Sequence, residues 1–145
     1  MSTAYYESYA TFVTPAHFDA DSFCISLAEQ CAREENFIAE EYGIVDGRAD
    51  VDFTDYIQQA IPGATTLVSW STDGGCGNSN PQVFEWVLQQ MMQATGVKWI
   101  KVHSICADTD GDTQADVSVI TSAGEELDIT QIIDEYMNHL YAPEV

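Results

Sequence analysis

The sequence predicts a single α+β domain spanning residues 1–145, with helices packed against a mainly antiparallel sheet. The chain has 145 residues, which suits one domain, and 46% of them are apolar, which is enough for a core. Segments typical of strands and helices follow one another in the order β-α-α-β-α-β-β-α, about four of each kind. The last two strands flank a short turn, so they are expected to pair as an antiparallel hairpin.

The first half of the chain predicts one strand and two helices. Residues 4–13, AYYESYATFV, are rich in aromatic and β-branched side chains, which favours a strand. Asp19 or Asp21 can cap a helix through residues 22–43, where apolar side chains recur near helical spacing and a glycine provides the stop. Residues 50–63, DVDFTDYIQQAIPG, predict a short second helix ended by the Pro-Gly pair.

The second half predicts three strands and two more helices. Residues 64–70 form a strand of the buried type, and the glycine-rich loop STDGGCGNSN follows it. An Asn-Pro pair then opens a helix over residues 81–96. Residues 97–107 and 115–121 are the two strands of the hairpin, and residues 125–142 predict the final helix.

The charge of the chain is strongly unbalanced. It has 24 acidic residues against four lysines and arginines, a net charge of −20. Charged residues make up only 19% of the chain, below the usual ~25%, so the imbalance comes mainly from missing bases. Acids without basic partners repel one another in the compact state, and solubility needs a net charge of only ~2–8. We therefore expect the charge to serve a function.

Composition also bounds the compartment and the cofactors. The sequence has no apolar run long enough to span a membrane, and the first residues lack the features of a signal peptide. The cysteines show no paired spacing and are interpreted as reduced thiols of a cytoplasmic protein, and the three histidines show no metal-ligand spacing. We expect no cofactor. The cysteines are Cys24, Cys31, Cys76 and Cys106.

The acidic residues concentrate in two windows. Nine acids lie between Glu29 and Asp55 beside two arginines, and nine more lie between Asp108 and Glu135 beside no base. Two glutamate pairs in the first window are six residues apart, about 9 Å along a helix, a spacing comparable with that of backbone phosphates. The candidate partner-binding residues are Glu34, Glu35, Glu40, Glu41, Asp46, Asp50 and Asp52, with Asp108, Asp110, Asp112 and Asp116.

This composition resembles that of DNA-mimic inhibitors, the small acidic proteins of phages and mobile elements that include anti-restriction and anti-CRISPR factors. The resemblance extends over the whole chain and implies a non-enzymatic protein. Its carboxylates would stand in for phosphates and block the DNA- or RNA-binding site of a basic protein or nuclease complex. It would bind neither nucleic acid nor membrane itself, and the sequence is compatible with a homodimer.

Two other kinds of acidic protein share this composition. An immunity or antitoxin-like protein that neutralises a basic nuclease toxin uses the same electrostatics against a single partner. A salt-adapted protein is also acidic and poor in lysine, although such adaptation favours small side chains and this chain keeps many Ile, Gln, Phe and Tyr residues. The sequence does not separate an immunity protein from a DNA mimic.

The aspartate-rich segment at residues 108–116 supports a different hypothesis. Its pattern, D-x-D-G-D-x-x-x-D, resembles the calcium loops of FG-GAP and thrombospondin type 3 repeats. The resemblance implies a calcium-binding module in which Asp108, Asp110, Asp112 and Asp116 supply oxygen ligands. Those families usually have glycine at the sixth position, where this chain has Thr113. The alternative is an ordinary hairpin turn rich in Asp and Gly.

An enzyme is the remaining alternative. Cys76 lies near the predicted start of a helix, where the helix dipole favours a thiolate, and His103 with Asp108 would complete a Cys-His-Asp set for a cysteine hydrolase or transferase. Surrounding carboxylates would oppose that activation. The glycine-rich loop beside Cys76 lacks the G-K-[ST] pattern and any nearby cation, which argues against a nucleotide site.

Overall fold

The computed structural model describes residues 5–72, 80–107, 111–123 and 126–128. A 3₁₀ turn covers Phe53–Asp55. The regular elements of these ranges are β1 (Tyr5–Phe12), α1 (Ala20–Glu34), α2 (Phe37–Tyr42), β2 (Ile44–Val45), β3 (Arg48–Ala49), β4 (Ile57–Gln59), β5 (Thr66–Ser71), α3 (Pro81–Thr95), β6 (Trp99–Ala107), β7 (Thr113–Thr121) and β8 (Glu126–Asp128).

One antiparallel sheet organises the described part of the chain. Its six strands lie in the order β4-β5-β1-β6-β7-β8, and β2 and β3 form a separate two-stranded hairpin. The register is continuous across the centre, where Tyr9 of β1 lies opposite Ser69 of β5 on one side and His103 of β6 on the other. The mixed content of helices with a mainly antiparallel sheet is compatible with the predicted α+β class.

The core lies between one face of this sheet and the two long helices. Because side chains alternate along a strand, Ala10 and Phe12 of β1 point to the same face, and both are buried. Helix α1 packs on β4 and α3 packs on β5. Their buried side chains, such as Leu27 of α1 and Leu88 of α3, join the same apolar cluster.

The helix predicted over residues 22–43 is in fact two helices. Glu35 has a left-handed backbone with φ of 50°, which ends α1 after Glu34. Asn36 then starts α2, because its side-chain oxygen accepts hydrogen bonds from the backbone N–H groups of Ile38 and Ala39 at 3.1 and 3.3 Å. The Asn-Pro start predicted for α3 is confirmed, with Asn80 accepting from the N–H of Gln82 at 2.8 Å.

The helix predicted over residues 50–63 is wrong. This segment contains the 3₁₀ turn and β4, which pairs with β5. Phe53, Tyr56 and Ile57 are all buried at i, i+3 and i+4, so their spacing imitated a helix. Hydrogen bonding to a neighbouring strand, which the local pattern does not record, decided the conformation.

The helix predicted over residues 125–142 is corrected at its start. Residues Glu126–Asp128 form β8, which pairs with β7 and extends the sheet. Residues 129–142 of this prediction lie outside the described residues, as does most of the glycine-rich loop. The described chain therefore has three α-helices and eight strands, where about four of each were predicted.

Candidate functional site

Seven of the predicted partner-binding carboxylates project from one structural layer, which we call the acidic layer. The layer consists of the end of α1, α2, the β2–β3 hairpin and the 3₁₀ turn. These pieces hold one another in place, because β3 packs on both α1 and α2 and the 3₁₀ turn packs on α1. All seven side chains are exposed: Glu34, Glu35, Glu40, Glu41, Asp46, Asp50 and Asp52.

Local backbone signals position the carboxylates of the acidic layer. Asp46 occupies the first position of the two-residue turn between β2 and β3, where it has φ of 53° and Gly47 has φ of 77°. Two positive φ values in succession are typical of the type I′ turn that an Asp-Gly pair favours. Asp52 caps the 3₁₀ turn by accepting from the N–H of Thr54 at 3.0 Å. Glu41 accepts from the side-chain amide of Asn80 at 3.3 Å, which ties α2 to the start of α3.

The bases near the acidic layer neutralise little of its charge. Two arginines, Arg33 and Arg48, accompany the nine acids of this part of the sequence. The guanidinium of Arg48 lies 3.5 Å from the carboxylate of Glu29, and both side chains are about half exposed. An exposed pair of this kind contributes at most about 1 kcal/mol to stability. The layer as a whole therefore stays strongly negative.

Asp112 and Asp116 do not join the acidic layer. Asp116 lies on β7 opposite Ser104, and Asp112 lies just before β7; both are exposed. Strands β5, β1 and β6 separate β7 from β4 in the sheet. Asp108 and Asp110 lie outside the described residues, so the structure describes two of the four residues of the calcium-loop hypothesis. Among the described residues no cluster of three or more His, Cys, Asp or Glu side chains could hold a metal ion.

A groove beside the acidic layer brings in Asp21, a residue that sequence reasoning assigned only to helix capping. Asp21 of α1 lines this groove together with Asp50 and Asp52. The missed signal was the Asp46-Gly47 pair, which is the strongest short hairpin pattern and would have predicted that the chain turns back there.

Burial, and then the carboxylates of Asp21, Asp52 and Asp19, raise the pKa of the Cys24 thiol in this groove to about 12. A thiolate is disfavoured in a poorly hydrated site and beside negative charges. Asp21 of α1 and Asp52 at the start of the 3₁₀ turn thus both lie close enough to the Cys24 thiol to affect its pKa. The groove is thus a place where negative potential converges on an apolar surface.

The residues of the enzyme hypothesis are only partly described. Cys76 and Asp108 lie outside the described residues. His103 stacks on Tyr9 within the sheet, with ring centroids 5.2 Å apart and planes 12° from parallel. This contact accounts for His103 as a packing residue of the β1–β6 pair.

Comparison with known proteins assigns no family to this chain, so its charge and geometry are the basis for a functional proposal. Scans against protein-family models, curated proteins and solved structures found no match. None of the helices among the described residues has the length and apolar character that crossing a membrane requires. The acidic layer is the most distinctive feature that these residues present.

Proposed function

We propose that this chain is a non-enzymatic, cytoplasmic inhibitor whose acidic layer imitates the phosphate charge of a nucleic acid. In this proposal the layer occupies the DNA- or RNA-binding site of a basic partner, as a counter-defence protein of a phage or mobile element would do. The observation that supports it is the clustering of seven exposed carboxylates on mutually packed elements, in a chain with four bases.

The energetic argument is the same for a carboxylate surface as for a polynucleotide. A site that binds DNA carries lysine and arginine side chains, and it gains free energy when bound counterions are released. Long-range attraction between the layer and such a site accelerates association and weakens as salt is added. The 9 Å spacing expected for a continuous helix does not support the proposal, because Glu35 breaks the helix axis. The shared layer supports it instead.

Salt-dependent capture tests the proposal. Tagged protein is incubated with host lysate at 50 mM salt, and the retained proteins are identified by mass spectrometry. We expect basic nucleic-acid-binding proteins that are released as salt rises to 500 mM and are displaced by duplex DNA. Capture of a single nuclease toxin would identify an immunity protein instead. Binding that neither salt nor DNA reduces would contradict the proposal.

A block substitution locates the contact surface. Replacing Glu34, Glu35, Glu40 and Glu41 with glutamine keeps the size of each side chain and removes four charges. At about 0.3–1 kcal/mol per exposed charge pair, we expect binding to the captured partner to weaken roughly tenfold or more. Each single substitution should weaken it less than about fivefold, because the charge is distributed. Calorimetric titration gives these values.

The matched control removes four charges from the second acidic window of the sequence. Replacing Asp108, Asp110, Asp112 and Asp116 with asparagine changes the net charge by the same amount. If the acidic layer is the contact surface, this control loses clearly less affinity than the glutamate block. Equal losses in the two variants would show that net charge, and not the layer, governs binding.

A further inference from the structure

The groove beside the acidic layer has one wall on each side of an apolar floor. It has a volume of about 380 Å³ and lies between α1 and residues 48–54. Ile25 and Ala28 of α1 and Val51 of the opposite segment contribute its apolar surface. An apolar groove bordered by carboxylates offers a partner more than charge alone. It fits a side chain with a long apolar stem.

Carboxylates border the groove on both walls. Asp21 stands on the α1 wall, whereas Asp50 and Asp52 stand on the opposite wall, and all three are exposed. The cap of the 3₁₀ turn uses only Oδ1 of Asp52. The side chains of Asp21 and Asp50 make no hydrogen bond or ion pair with the described residues. Three acceptor groups are thus available around one apolar cleft. Arg48 also borders the groove, and its guanidinium lies 3.5 Å from the carboxylate of Glu29.

Cys24 lies at the buried side of the groove. Its side chain lines the groove, it is only 5% exposed, and its thiol makes no hydrogen bond within the described ranges. A buried free thiol packs as a small apolar group, so Cys24 adds to the apolar surface of the groove. The negative charges that act on this thiol would be offset by a cation placed in the groove.

We infer that this groove binds an arginine side chain of the partner, with the aliphatic stem against Ile25, Ala28 and Val51 and the guanidinium between Asp21 and the carboxylates of Asp50 and Asp52. Arginine fits better than lysine because its planar group presents five N–H donors and can bond to carboxylates on two sides at once. The inference rests on the proposed function, since it names the anchor by which a basic partner is held. It adds a specific contact to an otherwise distributed attraction.

Titration with blocked peptides tests the groove without the partner. The probes are Gly-Gly-Arg-Gly-Gly and the same peptide with lysine or with uncharged citrulline, each acetylated and amidated. Backbone amide shifts of the ¹⁵N-labelled full-length protein are followed by NMR. We expect the arginine peptide to shift amides of Ala28, Ala49 and Val51 with saturation, the lysine peptide to bind at least threefold more weakly, and the citrulline peptide not to saturate.

Two variants with equal charge separate the groove from general attraction. Asp21→Asn with Asp50→Asn removes two carboxylates from the groove and leaves the Asp52 cap intact. Glu35→Gln with Glu40→Gln removes two carboxylates from the acidic layer outside it. We expect the first pair to weaken the arginine peptide fivefold or more and the second pair less than twofold.

The outcomes for the groove and for the proposed function are distinct. Equal weakening in the two pairs, or shifts spread over the whole acidic layer, would overturn the arginine groove and leave salt-dependent capture of a basic partner unaffected. Absence of saturable binding by the arginine peptide would overturn it as well. Conversely, a saturable groove in a chain that captures no DNA-displaceable partner would refute the proposed function alone.

Discussion

At the scale of single residues, backbone conformation and side-chain hydrogen bonds fix a close crossing of the chain beside the start of α1. Gly63 has φ of 85°, and a Cβ there would lie 2.3 Å from the carbonyl oxygen of Ala16. Its N–H donates to the carbonyl of Phe18 at 2.9 Å, so the chain crosses itself closely beside the start of α1. The side chain of Gln59 reinforces this crossing by donating to the carbonyl of Phe18 at 3.1 Å and accepting from the N–H of Ala20 at 2.8 Å.

The thiol of Cys24 predicts how stability depends on pH. Burial, and then the neighbouring carboxylates, raise its pKa from 9.0 to about 12 in the folded chain. Below about pH 9 the thiol is protonated in both the folded and the unfolded chain, so its full contribution to the free energy of unfolding is present. Between about pH 9 and 12 only the unfolded chain releases the proton, so the free energy of unfolding falls, by up to about 1.4 kcal/mol per pH unit from this group.

Urea denaturation between pH 8.5 and 10.5 measures this effect. We expect the free energy of unfolding to fall less steeply with pH in Cys24→Ala than in the unmodified chain. Burial also raises the pKa of Cys31 and Tyr56, so the variant keeps part of the slope. Parallel pH curves for the two proteins would show that the Cys24 thiol titrates normally when folded.

At the scale of elements, the β2–β3 hairpin holds the acidic layer together although each of its strands has two residues. It has only the pairs Ile44–Ala49 and Val45–Arg48. A hairpin of this length is only marginally stable by itself. Its stability therefore depends on its turn and on the packing of β3 against α1 and α2. The buried side chain of Ala49 is the point where the hairpin meets the helices.

Substitution of Gly47 tests the role of this turn. An alanine at φ of 77° costs roughly 1 kcal/mol, because its Cβ crowds the backbone in the left-handed region. We expect Gly47→Ala to lower the melting temperature by roughly 4 °C and to speed amide exchange in residues 44–49. Asp46→Asn is the control, since asparagine favours the same turn while the charge is lost. Equal destabilisation by the two changes would assign the effect to charge.

At the scale of the whole molecule, the net charge of −20 opposes folding. Acids without nearby bases repel one another in the compact state, and repulsion between exposed charges is screened by salt. The apolar cluster between the sheet and α1 and α3 supplies the compensating free energy. The function that we propose needs this excess charge, so stability and function make opposite demands on the same residues.

Thermal denaturation at several salt concentrations measures this opposition. We expect a cooperative transition already in dilute buffer, with the melting temperature rising by several degrees between 20 and 500 mM sodium chloride, roughly 4 °C for each kcal/mol of repulsion removed. The glutamate-to-glutamine block at residues 34, 35, 40 and 41 should melt higher than the unmodified chain in dilute buffer. A chain that is unfolded until molar salt is added would indicate a salt-adapted protein.

The effect of calcium on the melting temperature tests the hypothesis of a calcium-binding module. A calcium module with ligands in residues 108–116 gains melting temperature in millimolar calcium and loses it in EDTA, because the ion binds only the folded chain. Under the proposal made here, calcium acts like any other screening salt, and magnesium at the same ionic strength has the same effect. Asp110→Ala separates the two, since it removes a specific calcium effect and leaves screening in place.

Local sequence signals determined much of this fold and the composition of its charged surface. Strands β1 and β5, the Asn-capped helix α3 and the β6–β7 hairpin follow from alternation, caps and turn residues, which act within a few positions along the chain. The depletion of bases likewise needs no structure to be seen. Each of these features is decided by neighbours in sequence.

Only the tertiary structure decided how distant parts of the chain meet. Residues 50–63 have the apolar spacing of a helix, yet residues 57–59 form a strand because they hydrogen-bond to β5. The long first helix ends at Glu34 because Glu35 has a left-handed backbone. As a result, α2 and the β2–β3 hairpin pack on α1, and the seven carboxylates lie on these mutually packed elements. The same packing brings Asp21, Asp50 and Asp52 to one groove, whereas Asp116 lies on β7 and Asp112 lies just before it. Strand pairing and layer packing depend on residues far apart in sequence, so no local pattern could show them.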